Sequence, residues 1–352
     1  MNLKQLGWSP FLEQQSLPEH CIPARVSGEN KNFYRVIAVE GEFLAKISGR
    51  LSFQLDHRSG FPVVGDWAAI QTIGKDRAII QHLFPRITAL SRKTAGKSAE
   101  QQLVCSNMDY VFVMSSMNQE FSSRRLERYL SIAWESGATP VVILTKADLC
   151  ANEAQYRAEA EIVSPGVAVH IVSAVTGRGM EIFSKYLSVG TTGVFIGSSG
   201  VGKSTILNAI SGQSFQKTLP VRESDDRGRH TTTSRQMILI PEKGIIVDTP
   251  GMRELGLWDT SNGLSQTFQD LESIAEGCGF RDCKHRDEPR CAVRQAAESG
   301  ELNFERLESY RKLQAEILYL EAKTDTFGRL NRKARAKRSC KAQKQIYKSR
   351  RF

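Results

Sequence analysis

Gly197-Ser198-Ser199-Gly200-Val201-Gly202-Lys203-Ser204 has the spacing G-x-x-x-x-G-K-S of a phosphate-binding loop. The apolar run Gly193–Ile196 leads into it and a helical pattern follows it, the strand-loop-helix setting that such a loop needs. Its glycines allow the backbone to turn N–H groups towards phosphate oxygens, and the helix N-terminus adds partial positive charge. Lys203 is expected to reach the β- and γ-phosphates, and Ser204 to ligate Mg²⁺. The stretch therefore predicts an α/β fold around a nucleoside triphosphate site.

Three segments further out choose the nucleotide. Asp248-Thr249-Pro250-Gly251 closes the apolar run Ile245–Val247. Asp248 can hold the Mg²⁺ shell through water, and the Gly251 N–H can reach a γ-phosphate. Thr145-Lys146-Ala147-Asp148 closes the run Pro140–Leu144. A carboxylate there can accept from guanine N1–H and from the N2 amino group, donors that adenine lacks at those positions. The stem of Lys146 can cover the ring face, and Ser173-Ala174, after the run Val169–Val172, can present a backbone N–H to guanine O6. GTP and GDP, with Mg²⁺, are the expected ligands.

The order of these motifs is unusual. Common GTPases place the phosphate loop first, then the switches, then the base-reading motifs. Here residues 145–148 and 173–174 precede residues 197–204. Continuous apolar runs alternating with helical patterns still predict a parallel sheet covered on both faces. The same sheet forms if the strands are cut and rejoined elsewhere, so the order predicts a circularly permuted G domain over residues 89–258. The chain then leaves this domain just after Gly251, so whatever follows is wired to the segment that senses the γ-phosphate.

Other modules flank this domain. Residues 1–32, with Pro10, Pro18 and Pro23, read as an extended arm. Over residues 33–88, the short runs Phe33–Val39, Phe43–Ile47, Val63–Ile70 and Arg77–Leu83 predict a small OB-like, RNA-binding β-barrel, with an SH3-like module as the alternative. Residues 259–325 read as a helical domain, including a long helix from Leu302 to about Lys323. In it Cys278, Cys283, His285 and Cys291 offer three thiolates and an imidazole within fourteen residues, a full tetrahedral shell for one structural Zn²⁺; unrelated buried cysteines are the alternative. The chain has 352 residues, a net charge of +10 and seven cysteines. Eleven of its 48 Lys and Arg residues fall in a tail, residues 326–352, that has no Asp or Glu; the rest nearly balance the 38 acidic residues. That tail suits a polyanion such as RNA, or else serves solubility as a solvated segment. The thiol usage, the lack of an apolar signal core and the lack of a membrane-length apolar run point to a reducing, cytoplasmic location and away from membranes.

TKAD, VSA, GSSGVGKST (which adds Thr205 to the site), GRHTTT and DTPG, taken with the barrel, cysteine module and basic tail, resemble the bacterial ribosome small subunit-dependent GTPase A family over nearly the whole chain. The resemblance implies a multidomain fold: an OB-like barrel, a circularly permuted P-loop GTPase domain and a C-terminal zinc-binding helical domain. It implies zinc at the four residues named above. It also implies hydrolysis of GTP stimulated by the 30S subunit, contact with 16S rRNA, late maturation of that subunit, and action as a monomer. Family members commonly have Asn where this chain has Thr145; that Asn braces its loop by hydrogen bonds, and a Thr hydroxyl can substitute in part. A metabolic or metal-handling GTPase that does not act on ribosomes is the alternative function.

Many GTPases use a Gln just after the DxxG glycine to orient the attacking water. The residue here is Met252, so unaided hydrolysis should be slow. His230, in Gly228-Arg229-His230-Thr231-Thr232-Thr233, is the candidate that replaces it, since an imidazole polarises water near neutral pH; the plainer reading is a mobile surface His. Thr231 or Thr232 is the expected Mg²⁺-sensing residue of this switch, and Lys203 joins His230 as the catalytic pair. Arg227 and Arg229 suit either phosphate charge or RNA.

Overall fold

The computed structural model describes residues 1–30, 33–55, 60–93, 101–212, 235–249, 261–320 and 322. Five strands close a barrel: β1 (Ile22–Glu29), β2 (Tyr34–Ala38), β3 (Gly41–Ile47), β4 (Trp67–Ile73) and β5 (Arg77–Leu83). The order around it is β1-β2-β3-β5-β4, and β4 pairs back onto β1. Only β3 and β5 run parallel; the other barrel neighbours are antiparallel. This is an OB-like Greek-key topology. Strand alternation sends Ala24, Val26, Val36, Ala38, Ala45, Ala68, Ile70 and Ile80 into one core. Short helix α1 (Pro10–Glu13) precedes the barrel, and α2 (Gly49–Gln54), capped by Ser48 Oγ, seals it with Leu51.

The barrel starts earlier than the sequence reading had it. Residues 22–29, read as part of an extended arm, form its first strand. Proline-rich arm and strand share the same extended backbone, so local pattern does not separate them. The run Val63–Ile70 also splits: its first residues turn, and Val64 bridges to Cys105 instead.

Next comes a hairpin, β6 (Ala89–Lys93) with β7 (Gln101–Ser106), that the sequence reading did not separate. The G-domain sheet contains β8 (Tyr110–Ser116), β9 (Thr139–Thr145), β10 (Val169–Ile171), β11 (Thr192–Gly197), β12 (Gln236–Leu239) and β13 (Ile245–Asp248), in the order β10-β9-β8-β11-β13-β12. All neighbours are parallel except β12, the antiparallel edge strand. On β8, Phe112 and Met114 face one core while Val111 and Val113 face the other, so both faces are buried and the run reads as continuously apolar. One face is covered by α6 (Lys203–Ser211), through Ile206, Leu207 and Ile210, and by α5 (Ile182–Tyr186), through Phe183. On the other face lie α3 (Ser123–Glu135) and α4 (Glu153–Val163).

Among the described residues, barrel and G domain are joined by backbone pairing of Gly28 with Gln236, which brings β1 to the antiparallel edge, and by the bridge of Val64 to Cys105. The C-terminal part shares the α3 core: α7 (Ser261–Thr267), α8 (Gln269–Ala275), α9 (Ala292–Ser299) and a helix over 304–320 contribute Leu264, Leu271, Val293, Leu307 and Leu313 to it, with Phe268 from the junction of α7 and α8. The tail 326–352 lies outside the described residues.

Candidate nucleotide and metal sites

Because β8, β9, β10, β11 and β13 are parallel, their C-terminal ends share one edge of the sheet, where ligands bind in open α/β folds. At that edge β11 runs into the 197–204 loop. Gly197, at φ +154°, must be glycine because a Cβ would stand 2.6 Å from the Met114 carbonyl oxygen on β8. Gly200 and Gly202 adopt φ +74° and +103°, and a Cβ on either would meet nothing within 4 Å. Both therefore hold left-handed backbone that favours glycine, with no steric contact adding to the requirement. Val201 is buried and anchors the loop in the α6 core. Lys203 turns back over the loop, its Nζ donating to the Gly197 and Ser198 carbonyls at 2.7 and 2.6 Å. Ser204 and Thr205 follow in the first turn of α6.

Thr145 ends β9, Lys146 takes a left-handed turn at φ 63°, and a 3₁₀ turn over Ala147–Leu149 follows. Ser173 lies just beyond β10, fully buried, and its Oγ donates to Asp148 Oδ1 at 2.5 Å. Asp148 itself is exposed. The Ala147 N–H donates to Val172 O at 3.2 Å, which holds the two loops side by side. Thr145 Oγ1 donates to Val201 O of the phosphate loop at 2.6 Å. One edge therefore brings together Thr145, Lys146, Asp148, Ser173, Ala174 and the 197–205 segment, with Asp248 at the end of the neighbouring strand β13. His230, Thr231, Thr232, Gly251, Met252, Arg227 and Arg229 lie outside the described residues.

Cys278, Cys283, His285 and Cys291 form a second cluster, with donor atoms all within 4.8 Å of one another. Cys278 Sγ is 4.0 Å from Cys291 Sγ, and His285 Nδ1 is 3.6 and 3.5 Å from these two sulfurs. A tetrahedral ion bonded to sulfur at about 2.3 Å and to nitrogen at about 2.0 Å requires separations of about 3.8 Å between sulfurs and about 3.5 Å between sulfur and nitrogen, so the donor set fits a metal ion. His285 adopts φ 56°, and its carbonyl accepts from Arg311 Nη2 of the 304–320 helix. Partly exposed Glu288 accepts the N–H groups of Lys284 and Arg286, and these bonds pull its carboxyl down to about 2 while pinning the loop between Cys283 and Cys291.

Two buried arginines went unread in the sequence. Arg25, alone among the apolar residues of β1, donates to Leu6 O (2.6 Å), Gly65 O (3.2 Å), Asn107 O (2.7 Å) and Thr192 Oγ1 (2.9 Å). Burial pushes its guanidinium down to about 10, against the opposing charges of Asp109 and Asp66. The other, Arg306, donates to Glu127 Oε1 (2.9 Å) and to both Asp270 oxygens (2.7 Å each), and stacks over Phe268. Burial raises the Glu127 carboxyl, which Ser309 and Arg306 oppose by hydrogen bonding and charge. For Arg25 a charged residue in an apolar run was the available signal; Arg306, between Glu305 and Glu308, reads as part of a charged helix face.

A phosphate loop on the central strand of a parallel sheet, with the 145–148 and 173–174 loops supplied by earlier strands, defines a circularly permuted P-loop GTPase. The sequence profile of the RsgA GTPase family matches residues 83–258. This chain belongs to the RsgA GTPase family. It is 42% identical to the small ribosomal subunit biogenesis GTPase RsgA 2 of Lactiplantibacillus plantarum over 99% of both chains. To a Vibrio parahaemolyticus protein of the same description it is 39% identical, over 94% of this chain and 92% of the relative. Among solved structures it resembles YjeQ from Thermotoga maritima, with TM-score 0.64, 27% identity, and coverage of 85% of this chain and 99% of that one. It also resembles YloQ, described as a circularly permuted GTPase, with TM-score 0.59 and 26% identity over 85% of this chain and 96% of that one. The family implies guanine nucleotide and Mg²⁺ at the sheet edge. No helix among the described residues is long and apolar enough to cross a membrane.

Proposed function

We propose that this protein hydrolyses GTP to GDP and phosphate on the small ribosomal subunit, late in the maturation of that subunit, and that the subunit stimulates the reaction. The observation that carries the chemistry is the convergence of base and phosphate loops, tied by Thr145 to Val201 and by Ser173 to Asp148. The descriptions of the relatives support the ribosomal partner.

In this reading both oxygens of Asp148 accept from guanine N1–H and N2–H. Each carboxylate oxygen has two lone-pair sites, so the Ser173 bond to Oδ1 leaves capacity for the base. The Ala174 N–H reads O6, and the Lys146 stem covers the ring. The phosphate-loop N–H groups and Lys203 hold the phosphates, so Lys203 exchanges its loop carbonyls for phosphate oxygens. Magnesium, held by Ser204, Thr231 and through water by Asp248, would neutralise charge between the β- and γ-phosphates. His230 orients the attacking water and the Gly251 N–H meets the γ-phosphate. The cysteine-histidine cluster holds one structural Zn²⁺, since thiolates with imidazole suit zinc and four protein ligands leave no coordination position open. The barrel and the basic tail grip 16S rRNA, and the protein acts as a monomer in the cytoplasm.

The test is hydrolysis of GTP and of ATP by the purified protein, with and without 30S subunits, at two salt concentrations. Slow GTP-selective turnover that rises with 30S at low salt is expected. A rate indifferent to 30S would overturn the ribosomal role, and equal turnover of ATP would overturn the role of Asp148.

A further inference from the structure

The nucleotide loops occupy one end of the G-domain sheet. At the opposite end, Thr139 and Thr192, which open β9 and β11, line a cavity of about 310 Å³ shared with the arm and the barrel. That volume is at the lower end of the range of small-molecule sites, about 300–1,000 Å³. Leu12, Trp67, Met108 and Thr192 form its buried end, and exposed Asp109 and Thr139 stand at its mouth.

Two polar groups on its wall are unused. Trp67 is 1% exposed, and its indole N–H has no hydrogen-bond partner among the described residues. Ser9 holds the N-cap position of α1, where a serine ordinarily accepts a backbone N–H. It makes no such bond, and its buried Oγ is likewise without a partner. Thr192 Oγ1 accepts from Arg25 and still has its own proton to give. Unpaired buried polar groups are costly and few in native proteins. Two on the wall of one cavity point to a ligand that pairs them.

Charge gives this cavity a direction. Arg25 lies against Thr192 and over the Trp67 ring, and its four hydrogen bonds all go to neutral oxygens. Of the carboxylates that act on it through space, Asp66 is paired with Arg86 and Asp109 stands at the mouth. The buried end thus offers donors backed by a cation, and the mouth offers an anion. Asp109 Oδ2 takes the Thr192 N–H, which leaves carboxylate lone pairs for a further donor. A neutral ring would pair some of these groups but leave both charged ends unmatched.

We propose that this cavity binds a free apolar α-amino acid, with its carboxylate taking protons from Trp67, Ser9 and Thr192, its ammonium facing Asp109, and its side chain against Leu12 and Met108.

The experiment is calorimetric titration of the full-length protein, saturated with GDP so that the nucleotide edge is filled. The probes are L-leucine, 3-methylbutylamine (leucine without its carboxylate), N-acetyl-L-leucine (leucine without its ammonium) and uridine. Leucine should bind one per chain with a dissociation constant on the order of 1 mM, and loss of either charged end should weaken binding by about tenfold. Ser9→Ala should weaken leucine by about three- to tenfold, the worth of one hydrogen bond. The same variant should leave the melting temperature of the leucine-free protein unchanged or higher, because the deleted hydroxyl has no partner in the protein. Trp67→Phe, which keeps a ring beside Arg25 and removes the N–H, should weaken leucine to a similar degree. Uridine binding more tightly than leucine would overturn the charge argument. Leucine affinity unmoved in both variants would place the amino acid elsewhere and overturn the site. No binding of leucine up to about 20 mM would leave these groups to water alone and overturn the proposal as well.

Discussion

Arg25, in the first barrel strand, donates to the hydroxyl of Thr192 at 2.9 Å, and Thr192 opens the strand that ends in the phosphate loop. The same guanidinium binds carbonyls of the N-terminal arm, the barrel and the segment before β8. Thr192 is fixed from its other side too, its N–H donating to Asp109 Oδ2 at 2.7 Å. A single buried cation thus locks the barrel to the root of the phosphate-loop strand.

Replacing Arg25 by Met should leave these buried acceptors without donors. A loss of about 3 kcal/mol of stability is expected, from several charge-assisted bonds lost at a site closed to water. Arg25→Lys keeps the charge without the planar fork and should lose less. Urea unfolding monitored by tryptophan fluorescence reads both; a Met variant within about 1 kcal/mol of the wild type would refute the locking role.

The buried pair of Arg306 and Glu127 ties the C-terminal helices to α3. Removing one partner strands a charge in the core, so Arg306→Met should cost about 3–5 kcal/mol. The double variant Glu127→Leu/Arg306→Met should recover a large part of that loss, because an apolar pair of similar volume avoids the desolvation cost. Chemical denaturation of the three proteins measures the coupling; simple additivity would show that the pair does not act as a unit.

The metal prediction concerns the C-terminal module. Elemental analysis should find one zinc per chain, and Cys283→Ser should lose most of it. A cluster that closes the loop beside α9 and the 304–320 helix stabilises the folded state, so chelation should lower the melting temperature. The nucleotide edge lies on the G-domain sheet, and GDP affinity should stay within about twofold of the wild type, since the metal holds the fold of another module. Metal-free protein with an unshifted melting temperature would contradict a structural ion.

His230→Ala should lower turnover stimulated by 30S by about a hundredfold, the usual scale of a positioned acid-base group, while GTP affinity changes little. Single-turnover hydrolysis and equilibrium binding separate the two effects. Equal losses in both would assign His230 to binding rather than to water.

The nucleotide motifs were legible in the sequence because they are local. Gly197 to Ser204, Thr145 to Asp148 and Ser173-Ala174 each need only a strand end and a turn, and spacing within a few residues encodes both. Their inverted order was enough to predict the permutation, since a sheet built from parallel strands tolerates rejoining at its edges. The clustering of Cys278, Cys283, His285 and Cys291 was legible for the same reason, since they lie within fourteen residues. Ile22–Glu29 was not, because an extended arm and a barrel strand have the same backbone and differ only in their hydrogen-bond partners. Arg25, Glu127 and Arg306 were silent too: Arg25 reads as an exception in an apolar run, and Glu127 and Arg306 read as members of charged helix faces, until partners as far as 167 and 182 positions away come together with them. Thr145 lies between these cases. Its place in the base-reading motif belongs to the sequence, but only the packed structure brings Val201 within 2.6 Å and decides where its one proton goes.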